Sequence, residues 1–387
     1  MKLIYVANSR IPTEKAHGVQ IMNTCAALSA ALAAQGDSLE LVIPARANSI
    51  SADPFDYYGV PRLFRIRRLA TVDLMRWSDA VPPVFALQTF TFLISLLWKR
   101  MRGAWPRDAV WYGRDELVMG PLALFSRDVF WETHLPARNM FARMAARRAR
   151  GIVCVTEGLA EHCRSILHAP ADKVSVIRNG VDAAAFDAMP SDKASVRREL
   201  GLPPVPAKLV TYSGSLALYS WKGVDIFMDA LARLGSLDVR FLLVGGSPKD
   251  VAALTTRYPD PRFIFAGLVP SEKVRAYLTA SDILVLPNKS GDPMSEKFTS
   301  PMKLFEYMAS GVPIVASDLP SVREILPADA GVFVHPNDPA ALASGIGQAL
   351  ADPAASAARA GRARRAVLAY TWTARAQKIL GLIRTQR

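Results

Sequence analysis

Residues 296–311 hold the densest set of groups able to do chemistry: Glu296, the pair Ser300-Pro301, Lys303, Glu306 and Gly311. The spacing predicts a polar loop ending at Ser300-Pro301 and then a short helix, with Pro301 near its first turn and Gly311 just past its end. The first turn of such a helix presents unpaired N–H groups and a partial positive charge, which suits a phosphate. Glu306 falls about one turn in, and helical side chains lean toward the helix start. Its carboxylate can therefore accept hydrogen bonds from a vicinal diol beside that phosphate. A diphosphate next to a ribose is half of a nucleotide sugar. A lone glutamate in this place would do no more than complement its helix dipole; the company of Lys303, the Ser-Pro loop and the flanking apolar runs favours a ligand.

Other candidates sit at similar strand-to-helix junctions. Lys222, with Gly223, follows a strand and a loop and opens a helix; a lysine there neutralises a diphosphate leaving group, while Gly214 lets the backbone come close to it. The plain alternative for Lys222 is a solvated surface cation. Trp131-Glu132-Thr133-His134 ends another strand. A neutral imidazole at His134 can hydrogen-bond a sugar hydroxyl and order a reacting face, or be a structural histidine, with Glu132 its partner or simply a buried acid. Arg114-Asp115 is an acceptor-side candidate or an internal salt bridge, and Arg178 is equally open.

Apolar runs alternate with helical segments along the whole chain, the rhythm of βαβ units with buried parallel strands. Strands are expected near 2–7, 39–44, 109–113, 128–132, 152–156 and 174–178, then 208–213, 240–245, 263–267, 283–287, 313–316 and 332–334. Helices are expected at 20–34, 224–234, 271–280 and 339–350. Two doubly wound sheets follow, with ligands at the carboxyl ends of strands. A length of 387 residues suits two domains. The break is expected just before Asn179, with 190–195 and 202–206 as connecting segments inside the entry to the second domain. A final helix near 373–384 carries Trp372, Ile379, Leu380 and Ile383.

With 51% hydrophobic and 21% charged residues, a large packed interior is available and general disorder is excluded. Cys25, Cys154 and Cys163 have no metal-ligand spacing and favour a reduced, cytoplasmic setting. No leader is read at the start, because residues 2–6 form a strand pattern. The apolar stretch 81–98 is short for a membrane span and contains Pro82-Pro83 and Gln88, so a buried or surface-lying helix is expected. The net charge of +13 calls for an anionic partner. No nucleic-acid-binding signature accompanies it. Arg143, Arg147, Arg148 and Arg150, interleaved with Met140, Phe141 and Met144, read as a basic amphipathic helix able to lie on anionic lipid, or as a solvated basic face.

No Asp-x-Asp arrangement is present, and His17, His134, His162, His168 and His335 are scattered. No metal and no cofactor are expected; phosphate charge would fall to lysines and helix ends. The dinucleotide fingerprint Gly-x-Gly-x-x-Gly is also missing, so a nicotinamide cofactor has no support.

The run Ser300-Pro301-x-Lys303-x-x-Glu306-Tyr307-Met308-Ala309-x-Gly311-x-Pro313 resembles the donor-site signature of family 4 glycosyltransferases, retaining enzymes of the GT-B fold. Asn179-Gly180-Val181-Asp182, Tyr212-Ser213-Gly214 with Trp221-Lys222-Gly223-Val224-Asp225, and Phe265-Ala266-Gly267-Leu268-Val269 resemble further family segments, in the family's order across 179–380. The resemblance implies a GT-B architecture of two Rossmann-like domains facing across a cleft. The acceptor-side domain would be 1–178 and the nucleotide-sugar donor domain 179–365, with 366–387 as a helix crossing back to the first. It implies transfer of a sugar from a nucleotide diphosphate sugar to a carbohydrate or lipid-linked acceptor, in bacterial polysaccharide or glycolipid assembly. A peripheral position on the inner face of the membrane would fit that role.

The resemblance also implies donor contacts at Gly18, Gly214, Ser215, Lys222, Ser300, Lys303 and Glu306, with His134, Lys222 and Glu306 at the chemistry. Lys15 and His17, around the Gly18 loop, and Arg114 would lie on the acceptor side. Two positions depart from the pattern. Ser215 stands where the family usually places an arginine, and Phe298 stands where it places a first acid eight residues before Glu306. Glu296 is the nearest substitute, with backbone groups of 298–300 as the alternative holder of the sugar. Those departures keep two other readings open: a non-catalytic nucleotide-sugar-binding protein, or a nucleotide-sugar epimerase of the same fold.

Overall fold

A computed structural model describes residues 1–74, 82–190, 192–217, 219–235 and 238–387. Val81 of the apolar stretch and Ser191 of the connecting segment lie outside the described residues. The chain divides into two compact units, Met1–Asn179 with Trp372–Arg387, and Gly180–Thr371.

The first unit is a seven-stranded parallel sheet. Its strands are β1 (Lys2–Val6), β2 (Ser38–Pro44), β3 (Arg65–Leu69), β4 (Val110–Gly113), β5 (Val129–Thr133), β6 (Gly151–Cys154) and β7 (Val174–Val176), in the spatial order β3-β2-β1-β4-β5-β6-β7. The order reverses beside β1, and the carboxyl ends of β1 and β4 flank the switch point where doubly wound sheets place ligands. Leu3, Tyr5, Leu41, Val110, Tyr112 and Phe130 are buried in one core with Ile379, Leu380 and Ile383 of the terminal helix Trp372–Gln386. The helix thus belongs to this unit although some 190 residues of the other unit (180–371) intervene in sequence.

The second unit is a six-stranded parallel sheet of β8 (Lys208–Ser213), β9 (Val239–Val244), β10 (Phe263–Gly267), β11 (Ile283–Leu286), β12 (Ile314–Ser317) and β13 (Val332–Val334), in the order β10-β9-β8-β11-β12-β13. Here β8 and β11 flank the reversal. Two doubly wound parallel sheets are the units that the expected GT-B architecture requires. The strands are apolar on both faces because helices cover both.

Sequence and structure differ at several places; helix Lys193–Glu199, for one, begins inside the expected connecting segment 190–195. β3 was not expected, and the first helix spans Ala16–Ala33, a turn earlier than expected. His17 and Gly18 therefore lie inside the helix, and the Gly18 amide already donates to the Lys15 carbonyl at 2.9 Å.

Candidate functional site

In the second unit the donor-side candidates converge at the carboxyl ends of β8 and β11. Helix Met302–Ser310 follows the Ser300-Pro301 loop, with Pro301 at its N-cap and Gly311, at φ +68°, ending it in the left-handed conformation. Lys303 lies in the first turn. Its ammonium is buried, has no hydrogen-bond partner, and sits 3.8 Å from the centre of the Tyr212 ring. Burial and nearby Lys222 push the Lys303 pKa well below the usual lysine range, against the pull of Glu306. The Tyr212 ring recovers part of that cost through cation–π attraction.

Gly214, at φ +129°, leaves the chain open beside this ammonium: a side-chain carbon there would lie 3.5 Å from the Lys303 Nζ. The Tyr307 hydroxyl pins the preceding turn, accepting from the Ser213 amide at 2.9 Å, and the Ser213 hydroxyl donates to it at 3.2 Å. Tyr212 in turn donates to the Ser215 carbonyl at 3.0 Å.

Glu306, one turn beyond Lys303, has its pKa raised to about 7 by burial, which outweighs the pull of Arg275 and Lys303. Lys222 ends a short 3-10 turn, Ser220–Lys222, and lies over Tyr219 and Trp221, 5.0 and 5.8 Å from their ring centres. Burial lowers its pKa as well. Gly223, at φ +68°, turns the chain into helix Val224–Leu231; a side-chain carbon there would meet the Pro287 carbonyl oxygen at 1.8 Å. Two lysines and one acid are thus held near one another around a glycine turn, with more positive charge than the protein itself compensates.

Glu296 is engaged in its own loop, where its carboxylate accepts from the Gly291 amide at 2.8 Å. Asn288 was missed by the sequence reading. It lies just past β11, 1% exposed, with neither amide oxygen nor nitrogen hydrogen-bonded. A buried amide left in that state is costly unless a ligand completes it. A polar residue ending an apolar strand run is the signal that could have found it. Two hollows of the second unit, about 410 Å³ beside Arg323 and Arg359 and about 610 Å³ beside Asp229 and Tyr258, include none of these donor-side residues.

In the first unit His134, Arg114 and His17 share one network. Buried Glu132 accepts from the Gln20 amide at 2.8 Å, from Arg375 Nη2 at 2.7 Å and from the Tyr112 hydroxyl, and lies 2.5 Å from His134 Nε2. Arg114 donates to the Gln20 side-chain oxygen at 2.8 Å and approaches the His17 carbonyl at 3.5 Å. Burial alone would raise the Glu132 pKa; Arg375, the His134 hydrogen bond and Arg114 overcome this and hold it well below the usual carboxylate range. Burial and Arg114 together lower the His134 pKa to about 4, despite Glu132. A neutral imidazole facing a carboxylate carries its proton on Nε2, leaving Nδ1 as an acceptor. His17, lowered to about 4 by burial, then by Arg114 and Lys15, is neutral too.

Lys15 is exposed and reaches this network through its charge, which acts on His17. Gly18 has a packing reason: a side-chain carbon would fall 2.1 Å from the Tyr58 hydroxyl, which bridges the amide and carbonyl of Thr13. Among the described residues no cluster of histidine, cysteine or acid can hold a metal ion.

Two family models match the chain: Glycosyltransferase Family 4 over residues 22–185 and Glycosyl transferases group 1 over 207–352. The chain is 29% identical over 238 residues to a 2-deoxystreptamine glucosyltransferase of Streptomyces kanamyceticus, covering 59% of this chain and 58% of that protein. It is 26% identical over 312 residues to a GDP-mannose-dependent alpha-(1-6)-phosphatidylinositol monomannoside mannosyltransferase of Mycolicibacterium smegmatis, covering 75% and 79%. Against most of the first relatives the match spans only about half of their own length, as with 51% of a Methanocaldococcus jannaschii glycosyltransferase. The crystal structure of Anabaena HepE in complex with UDP superposes over 100% of both chains with a TM-score of 0.73 at 17% identity, which establishes the fold. With both halves matched in order and two parallel-sheet units to carry them, the chain belongs to the family 4-type glycosyltransferases of the GT-B fold.

Proposed function

We propose that the protein is a retaining glycosyltransferase that moves a sugar from a nucleotide diphosphate sugar to a carbohydrate or lipid-linked acceptor of polysaccharide or glycolipid assembly. The observation that carries this reading is Lys303, a buried ammonium with no hydrogen-bond partner beside the open Gly214 turn. An uncompensated buried cation is a standing cost to the fold, and a diphosphate is the group that removes it. Lys222 and Lys303 would neutralise the departing diphosphate, Glu306 would accept the ribose hydroxyls, and Asn288 would complete its amide on the donor.

In the reaction the acceptor oxygen forms a bond to the anomeric carbon on the face from which the diphosphate leaves. The bond from that carbon to the diphosphate oxygen breaks, and the leaving phosphate oxygen takes the acceptor proton. The protein then needs no separate base; it supplies position and charge. His134, neutral and oriented by Glu132, would accept at Nδ1 a hydrogen bond from a hydroxyl of the transferred sugar.

The test uses purified protein with radiolabelled donors, UDP-glucose and GDP-mannose among them. Transfer or donor hydrolysis by the wild type, lost in Lys222→Ala and Glu306→Ala, supports the reading. Donor affinity unchanged in Glu306→Ala removes the ribose assignment. A non-catalytic donor-binding role is the second reading, favoured by Ser215 in place of the arginine and by the capture of Glu296 by the Gly291 amide. Donor binding without consumption across acceptor pools would establish it.

A further inference from the structure

Helix Pro82–Met101 of the first unit has two apolar faces, of which only one is seated. Phe92 and Leu96 are fully buried, and Gln88 and Thr89 are tied inward to Asn8 at 3.0 and 2.8 Å. On the other side Leu87, Phe90, Ile94, Trp98 and Met101 are 43, 59, 50, 44 and 78% exposed. Their spacing of three and four residues gathers all five into an arc of about 80° at 3.6 residues per turn. Leu124 and Phe125, 49 and 58% exposed, end the neighbouring helix Glu116–Phe125, and Arg100 ties the two helices by donating to the Phe125 carbonyl at 2.8 Å. Monomeric surfaces rarely leave so many large apolar side chains together without a partner.

Charge decides which partner. Helix Pro82–Met101 contains no acid, and its carboxyl end carries Lys99 and Arg100, with Arg102 just beyond. Lys99 and Arg102 both lie over the Trp98 ring, 5.2 and 4.6 Å from its centre, so the cations border the apolar stripe itself. Asp108 and Asp128 are paired with Arg387, and Glu116, at the far end of the neighbouring helix from Phe125, accepts from the Asn139 side-chain amide at 3.0 Å. A second copy laid on this face would set cation against cation, in a chain whose net charge is +13. An indole with basic side chains at the end of an apolar stripe fits the boundary between headgroups and acyl chains.

The basic helix Met140–Arg148 does not provide such a face. Ala142, Ala145 and Ala146 are buried, Phe141 and Met144 are half-buried, and Phe141 backbone atoms pack on Gly120, so Arg143, Arg147 and Arg148 face outward with Met140, 65% exposed, as the one outward apolar side chain of the helix. It supplies charge without an insertable stripe. Among the described residues no helix is long and apolar enough to cross a membrane.

We propose that the outer face of helix Pro82–Met101, with Leu124 and Phe125, docks the protein in the plane of an anionic lipid surface. The inference rests on exposure and charge and not on the transfer reaction. The test is flotation of the full chain with phosphatidylcholine vesicles, with and without phosphatidylglycerol, at low and high salt. The wild type should float with the anionic vesicles. A Phe90→Ser/Ile94→Ser/Met101→Ser variant, changed only at exposed positions, should lose at least about tenfold in partitioning at either salt. Lys99→Gln/Arg102→Gln should lose binding chiefly at low salt. Brominated lipid should quench wild-type fluorescence and not that of Trp98→Phe to the same extent. Failure of the wild type to float, or equal flotation of the apolar variant, overturns the proposal. So does concentration-dependent dimerisation abolished by that variant, which would give the face to a second copy. Donor hydrolysis measured without vesicles should be unchanged in both variants, which separates this result from the fate of the proposed reaction.

Discussion

Glu132 and Arg375 are 243 residues apart in sequence and joined by a 2.7 Å hydrogen-bonded ion pair in which both side chains are buried. Only Nη2 of Arg375 reaches the carboxylate; Nε and Nη1 have no partner. Breaking one side of such a pair costs about 3–5 kcal/mol, because the other charge stays buried. Arg375→Met should therefore lower the urea midpoint sharply, whereas Glu132→Gln/Arg375→Met should fall less than the two single effects added. The pH dependence follows from the depressed Glu132 pKa. Its stabilisation is present above the ordinary carboxylate range and is lost as pH falls through the folded value. In Arg375→Met the folded carboxyl moves back toward its ordinary range, so that acid-side loss should shrink, measured by urea midpoints across pH 3–7.

Glu306 gives a second pH effect with the opposite sign. Its pKa is raised to about 7 by burial, so the folded protein without ligand holds it largely protonated below neutrality. An acceptor of two ribose hydroxyls must be ionised. Nucleotide-sugar binding should strengthen as pH rises through about 7, and Glu306→Gln should flatten that rise. A diphosphate diester does not itself titrate in this range, so the difference between the wild type and Glu306→Gln in calorimetric affinities at pH 6 and 8 isolates the carboxylate.

Replacing Lys303 by methionine keeps an unbranched side chain one atom shorter and removes the uncompensated charge. Lys303→Met should raise thermal stability without ligand, on the scale of about 1–3 kcal/mol for a buried unsatisfied polar group, and abolish the further stabilisation that a donor gives. A lysine whose folded pKa is depressed costs stability below that value, and the cost fades as pH rises toward the unfolded range. The advantage of the variant should therefore shrink at alkaline pH. Equal melting points at pH 7, with donor binding retained, would contradict the account.

Gly223 and Gly267 share a left-handed backbone, at φ +68° and +65°, but not their surroundings. A side-chain carbon at Gly267 meets nothing within 4 Å, and one at Gly223 meets the Pro287 carbonyl at 1.8 Å. Gly267→Ala should cost about 1 kcal/mol of backbone strain. Gly223→Ala should cost clearly more and displace Lys222, lowering donor affinity as well as the melting point.

The fold class was legible because parallel strands covered on both faces read as apolar runs, as with Ile283–Leu286 and Ile314–Ser317, both fully buried. β3 escaped because Arg-Ile-Arg-Arg-Leu is an edge strand, hydrogen-bonded among the described residues to β2 alone, and its three arginines mask the pattern. The helix caps around Glu306 were legible from Pro301 and Gly311. The state of Lys303 was not, since it depends on the Tyr212 ring, which comes from another strand. Arg375 was missed for a related reason: an arginine in an amphipathic helix reads as solvated, and only the tertiary fold sets it against Glu132. Gly18 was legible as a special position, but its neighbour Tyr58 lies 40 residues on.

The terminal helix Trp372–Gln386 completes the first sheet unit after the whole second unit has intervened. During synthesis on the ribosome, residues 180–371 have everything their core needs before the first unit has its last wall. Until then the pocket around Glu132 lacks its guanidinium, and the helix Ala16–Ala33 lacks the surface that Ile379 and Ile383 cover. The half that emerges first is thus the half that matures last, and a nascent chain stalled before Trp372 would expose an unfinished core to chaperones.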